Sequence, residues 1–187
     1  EDLDVSRATL REAMRTFETR GMLRRKQGVG TFVIHPTRVF ESGLENLVSL
    51  EALAVKIGLS VFPGDLQVET IKADQEIADH LNIDLNQEVM RVSRVILTEE
   101  RPVAYLVDTL PTGIITREEI TGHFTGSVLD LLIHKKDPPL ASSCCHINAV
   151  SATREIARAL NIQRGDPILC FRSTLYTEKG TIIDFSY

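Results

Sequence analysis

Three arginines stand four residues apart, Arg7, Arg11 and Arg15, with two hydroxyl side chains, Ser6 and Thr9, beside the first. On a helix that spacing gathers the guanidinium groups on one face. In a major groove an arginine can donate two hydrogen bonds to guanine O6 and N7. Hydroxyls near a helix start suit phosphate oxygens, which fix register without reading sequence. Lys26-Gln27-Gly28-Val29-Gly30 follows as a basic glycine turn, of a kind that lets backbone approach a phosphate or a minor groove closely. The helix alone reads equally well as a solvated basic face. The ordered set of capped arginine helix, stop and glycine hairpin is far more specific.

The elements that must carry these groups are legible around them. Ser6 is placed to cap a helix whose Leu10, Ala13, Met14 and Phe17 fall at i, i+3, i+4 and i+7 as one apolar stripe. Gly21 should stop it. Met22–Arg25 and Thr31–Ile34 then read as the two strands of a hairpin around the glycine turn.

Charge divides the chain in the same way. Residues 5–35 carry seven basic side chains against Glu12 and Glu18, whereas residues 36–187 carry 14 basic and 21 acidic ones. Such asymmetry suggests two parts with different partners. The overall charge of -5 excludes a uniformly basic nucleic-acid coat. With 43% hydrophobic and 25% charged residues, the composition also excludes wholesale disorder. No run of 18 apolar residues is present, and EDLDVSR lacks a signal-peptide core. The three cysteines, Cys144, Cys145 and Cys170, form no disulfide framework, so a reducing cytoplasm is the expected compartment.

The residues Val5-Ser6-Arg7-Ala8-Thr9-Leu10-Arg11-Glu12-Ala13, then Gly21-Met22-Leu23 and Gly28-Val29-Gly30-Thr31-Phe32-Val33, resemble the winged helix-turn-helix of GntR-type bacterial transcription regulators. The resemblance implies that Ser6, Arg7, Thr9 and Arg11 touch operator DNA, and that Gln27, Gly28 and Gly30 form the wing tip. It also implies that the chain opens late in the family's second helix, so that the reading head is only part of a winged helix-turn-helix.

The larger part repeats itself. Ala73–Ile83 and Ala152–Ile162 share seven of 11 residues at an offset of 79, and each copy reads as a short amphipathic helix. After each come a strand, a polar turn and a second strand: Val89–Leu97 and Val103–Leu110, then Ile168–Tyr176 and Thr181–Tyr187. Two helix–hairpin halves related by a pseudo-two-fold, with antiparallel strands in one sheet, is the simplest architecture. Two more capped helices are expected, one behind Ser49 ending at Gly58 and one behind Ser127.

Gly58, Val92-Ser93-Arg94-Val95, Arg101-Pro102-Val103-Ala104-Tyr105, Leu110-Pro111, Ser127-Val128-Leu129, Gly165-Asp166-Pro167 and Gly180–Asp184 occur in the order of the UTRA effector domain of the HutC branch of GntR regulators. This similarity implies an α+β fold: a chorismate-lyase-like antiparallel sheet flanked by helices, whose last strand the chain leaves incomplete. It divides the chain into a DNA-binding part at 1–35, a linker at 36–45 and an effector domain at 46–187. It implies operator DNA and a small-molecule effector as partners, and a homodimer formed through the effector domains. It also implies an effector site at Val48, Ser49, Arg94, Ser127 and Asp184, with an arginine, hydroxyls and helix amides suited to an anion, either an organic acid or a phosphorylated metabolite. Ile96, Leu106 and Leu129 stand where sugar-phosphate-sensing members of the branch carry polar groups, which implies a drier pocket.

Other chemistry is thin. Cys144-Cys145-His146 has no second ligand pair at metal spacing, and these cysteines are expected on a half-buried strand. No nucleophile elbow, phosphate loop or dinucleotide fingerprint is present, and no cofactor or enzymatic activity is expected. Two readings compete with a ligand-responsive regulator: a chorismate-lyase-like enzyme with an N-terminal appendage, and a ligand-free dimerisation module.

Overall fold

In a computed structural model, the structure describes residues 5–19, 22–26, 28–33, 46–99, 101–124 and 126–187. The chain divides into two units, Glu1–Gly43 and Leu44–Tyr187. The expected linker at 36–45 falls wholly outside the described residues, as do Gly21 and Gln27.

The first unit is a helix and a hairpin. Helix α1 runs Arg7–Thr19. Strands β1 (Leu23–Lys26) and β2 (Gly30–Val33) pair antiparallel, with Lys26 opposite Gly30. Gly28 closes the turn at φ +76°, a conformation that costs any other residue strain.

The second unit is one antiparallel sheet of six strands in the order β3-β4-β5-β8-β7-β6. The strands are β3 (Phe62–Lys72), β4 (Glu88–Thr98), β5 (Arg101–Pro111), β6 (Leu140–Ser151), β7 (Pro167–Thr177) and β8 (Ile182–Ser186). The helices are α2 (Leu50–Lys56), α3 (Gln75–Leu81), α4 (Arg117–His123), α5 (Val128–Lys135) and α6 (Arg154–Leu160). Reading inward from each edge, the order is β3-β4-β5 and β6-β7-β8, so the internal repeat builds the sheet as two mirrored halves.

The repeat holds down to single atoms. Asn82 and Asn161 end α3 and α6, both left-handed at φ 53°. The Ala73 amide donates to Gln87 at 2.8 Å, and the Ala152 amide to Asp166 at 2.8 Å. Asn86 and Gly165, 79 apart, both take positive φ. The sequence comparison finds the helices and hairpins but misses β3 and β6 as matching edge strands. Their residues share little identity, because edge positions carry few packing constraints.

Helices α2, α4 and α5 lie outside the two repeats, α2 before the first and α4 and α5 between them. Val128 and Leu132 of α5 and Ile120 of α4 bury against Val92, Leu110 and Leu175. On the opposite face, Ala78 and Leu81 of α3 pack with Val89 and Phe185, and His80 stacks on Phe185 with ring centroids 4.1 Å apart. The expected half-buried strand around the cysteines needs correction. Strand β6 is exposed along nearly its whole length, Cys144 and Cys145 included.

Candidate effector site and basic helix

Four of the five expected effector residues are buried, and the structure brings them together. The register explains how. Arg94 on β4 lies opposite Leu106 on β5, and Val92 opposite Asp108, so Arg94 and Asp108 are diagonal neighbours on one face. Strand β8 adds Asp184, which stands opposite Leu175 of that same core. Arg94 is 2% exposed and Asp184 5%.

Both terminal nitrogens of Arg94 face carboxylates. Its Nη1 donates to Asp108 Oδ2, and its Nη2 lies 3.7 Å from Glu51 Oε1. The Phe124 ring sits under the guanidinium, 5.6 Å from its centroid. Breaking a buried pair of this kind costs about 3–5 kcal/mol.

The two serines start helices. Ser49 Oγ accepts from the Ala52 amide at 3.0 Å and donates to Asp130 Oδ2 at 2.8 Å. Ser127 Oγ accepts from the Asp130 amide at 3.0 Å. Thus α2 and α5 are tied together at their starts. Val48 is half-buried and precedes the α2 cap. Gly126, at φ +107°, brings the chain close over Glu51: a Cβ there would lie 3.7 Å from Glu51 Oε1.

Sequence reasoning missed Glu51, Asp108 and Asp130. Two of them carry a readable signal, being acids in the first turn of a capped helix, where the helix dipole favours them. Asp108 has only its alternation on a strand to mark it. These acids engage the groups that the resemblance assigns to an anion. Each helix start already holds its own carboxylate, and Arg94 already has two partners. Ser49, Ser127 and the two terminal nitrogens of Arg94 thus already have partners within the chain.

The carboxylates outnumber the cation, and their titration reflects it. Burial pushes the Asp184 carboxyl well above its ordinary value of 3.8, and the negative charge of Asp108 adds to this against the opposing pull of Arg94. Burial likewise raises Glu51, with hydrogen bonding and Arg94 opposing and the Asp130 and Asp108 charges adding. Asp184 Oδ1, Glu51 Oε1 and Arg94 Nε are buried without a hydrogen-bond partner. Ile96 is fully buried, and Leu129 packs against the core. Among the described residues no cluster could hold a metal ion. A broad surface depression of about 540 Å³ at Ser151–Arg154 lies at the α6 start and has none of these groups.

On the first unit, Ser6 caps α1 as expected, accepting from the Thr9 amide at 3.1 Å. The Ser6 and Thr9 hydroxyls are also bonded to each other at 2.8 Å. Arg7, Arg11 and Arg15 are exposed. Gly28 and Gly30 stand at the hairpin tip with open space where a Cβ would lie. Leu10 and Phe17 of the apolar stripe are exposed as well.

A helix with an arginine face and a glycine-tipped hairpin precede a sheet domain with a buried charged cluster, a two-part plan that fits a bacterial transcriptional regulator. Residues 65–187 match the UTRA domain model, and residues 1–33 match that of bacterial regulatory proteins of the gntR family. The chain therefore belongs to the UTRA-containing, HutC-type GntR transcriptional regulators. It is 27% identical over 184 residues to the HTH-type transcriptional repressor NagR of Bacillus subtilis, covering 98% of this chain and 74% of that protein. It is 28% identical to the histidine utilization repressor of Pseudomonas putida, covering 97% and 71%. The crystal structure of PhnF from Mycobacterium smegmatis superposes with a TM-score of 0.72 at 21% identity, over 99% of this chain and 80% of that one, which supports the fold. NagR and the histidine utilization repressor are named transcriptional repressors, and the chain is a transcriptional regulator, not an enzyme.

Proposed function

We propose that the chain binds operator DNA as a homodimer and that a small metabolite, held at the Arg94 cluster, sets the affinity. One observation carries this reading. The chain spends a buried arginine and four carboxylates, with unpaired acceptors, on a site whose stability an apolar core would serve better. A pure dimerisation module needs no such cluster. Residues 1–35 would form the reading head, 36–45 the linker and 46–187 the sensor, in the cytoplasm where the DNA is. Arg7 and Arg11 would face base edges. The mutually bonded Ser6 and Thr9 hydroxyls, together with Gln27, Gly28 and Gly30 at the wing, would lie along phosphates.

The homodimer has a surface to form on. Ile147, Leu169 and Phe171 are 44%, 66% and 41% exposed on one face of β6 and β7. That face continues the one that α4 and α5 cover over β4, and a second copy is the occupant with matching apolar chemistry. Effector binding would shift the balance between dimer arrangements that fit the operator and arrangements that do not. The test is selection of bound duplexes from a random pool, followed by affinity measurement with Arg11→Ala. Loss of about 1–3 kcal/mol of specific binding is expected if Arg11 reads a base; unchanged affinity removes it from the readout.

A further inference from the structure

We infer that the effector presents a cationic nitrogen, an ammonium or amidinium, to the neighbouring pair Asp108 and Asp184 beside Arg94. This rests on the reading of the second unit as a metabolite sensor and gives that site its ligand chemistry.

Charge is unbalanced around Arg94 among the described residues. The charged groups that meet there are Arg94 from β4, Glu51 from α2, Asp108 from β5, Asp184 from β8 and Asp130 from α5. One cation faces four acids. Asp108 takes Arg94 directly, and Asp130 takes the Ser49 hydroxyl. Glu51 keeps Arg94 only at 3.7 Å, without a hydrogen bond. Asp184 lies almost wholly buried and its Oδ1 has no donor.

Among the described residues Asp184 Oδ1 and Glu51 Oε1 have no hydrogen-bond partner, and the Ser186 hydroxyl and Thr109 amide beside the Asp184 carboxyl leave that oxygen free to accept a further N–H. An ammonium carries three donors and the missing charge. The orphaned Arg94 Nε–H asks for one acceptor, which a hydroxyl or carboxylate on the same small molecule can supply. A metal ion does not fit, because no three of these groups among the described residues gather as metal ligands. An anion does not fit either, since both helix starts already carry an acid, Glu51 on α2 and Asp130 on α5. Without the cation, protons fill the gap, consistent with the upward shifts at Asp184 and Glu51.

The test has two arms on the full chain. In the first, melting temperature is followed against matched probes: glucosamine, agmatine and histamine; their N-acetyl derivatives; and inorganic phosphate, citrate and glucose 6-phosphate. A saturable rise with an amine, weakened at least 100-fold by N-acetylation and at least tenfold by Asp184→Asn, is expected. A rise with the anions alone overturns the cation and leaves the sensor standing. No rise with any probe counts against the sensor reading itself.

The second arm needs no ligand. Leu106 stands directly opposite Arg94 on the neighbouring strand, so Leu106→Lys tethers an ammonium beside the cluster. It should melt higher than Leu106→Gln, and Leu106→Glu lower than both. A lysine variant that melts below the glutamine variant overturns the proposal, whatever the probes do.

Discussion

The two halves of the sheet start from one pattern and end in opposite conditions. Val68 and Val92 on the first half match Ile147 and Phe171 on the second, each 79 residues on, and each pair lies in register across its own two strands. Val92 is wholly buried and Phe171 is 41% exposed. Arg94 corresponds to Ser173; Leu106 stands opposite Arg94, and Ser186 opposite Ser173. The first half gained a lid of helices and a charged cluster beneath it. The second half kept a bare apolar face. A duplicated frame fixes where side chains point; what is laid over the frame decides whether a position becomes a site or a surface.

The strongest way to break this comparison is at its charged centre. Arg94→Met removes the one cation from among four acids, and about 3–5 kcal/mol of stability should go with it. Its counterpart Ser173→Ala should cost under about 0.5 kcal/mol. Equal losses in denaturant melts would mean that the two halves are not functionally distinct.

The bare half gives the next effect. Phe171→Asp should leave a folded chain with the mass of one protomer by light scattering, because an unpaired charge now faces the partner's apolar surface. Val92→Asp, at the matching position, should fail to fold. A dimeric Phe171→Asp chain would place the interface elsewhere.

Asp184→Asn is a smaller change and acts in the stabilising direction. The folded carboxyl titrates above its ordinary 3.8, so its ionisation opposes folding, and stability declines as pH rises from that value through the folded one. The asparagine variant should melt higher than the parent at pH 7 and lose that advantage near pH 4. An advantage independent of pH would show that Asp184 is not the group responsible.

The least effect is expected at Lys135→Met, which removes a half-exposed pair with Glu119 at 2.9 Å. Such pairs contribute about 0–1 kcal/mol. The lysine pulls the Glu119 carboxyl below 4.5, so this small contribution is present above that value and fades as pH falls through the lowered one. A larger loss in neutral denaturant melts would make this pair part of the lid's attachment.

Much of this was legible before any coordinates. Ser6, Ser49 and Ser127 cap the helices they precede, because a hydroxyl before an apolar period has one dominant local use. The repeat announced both hairpins, since buried helix and strand positions constrain residue type closely. Strands β3 and β6 were harder to read, being edge strands exposed over most of their length. The acids around the expected effector residues were harder still to read. Arg94, Ser49 and Ser127 looked like an anion cradle while their partners stayed unseen. Glu51, Asp108 and Asp130 reach them across 43, 14 and 81 residues of chain, and no local pattern reports a contact over such separations.

The most direct test of the account is operator affinity of the full chain, on the duplex recovered by selection, with and without a deproteinised small-molecule extract of bacterial cytoplasm. The account predicts a change in affinity of at least tenfold that Asp184→Asn abolishes while dimer mass and unliganded DNA binding persist. Affinity that is identical with and without the extract would contradict it and leave a DNA-binding dimer with nothing to sense.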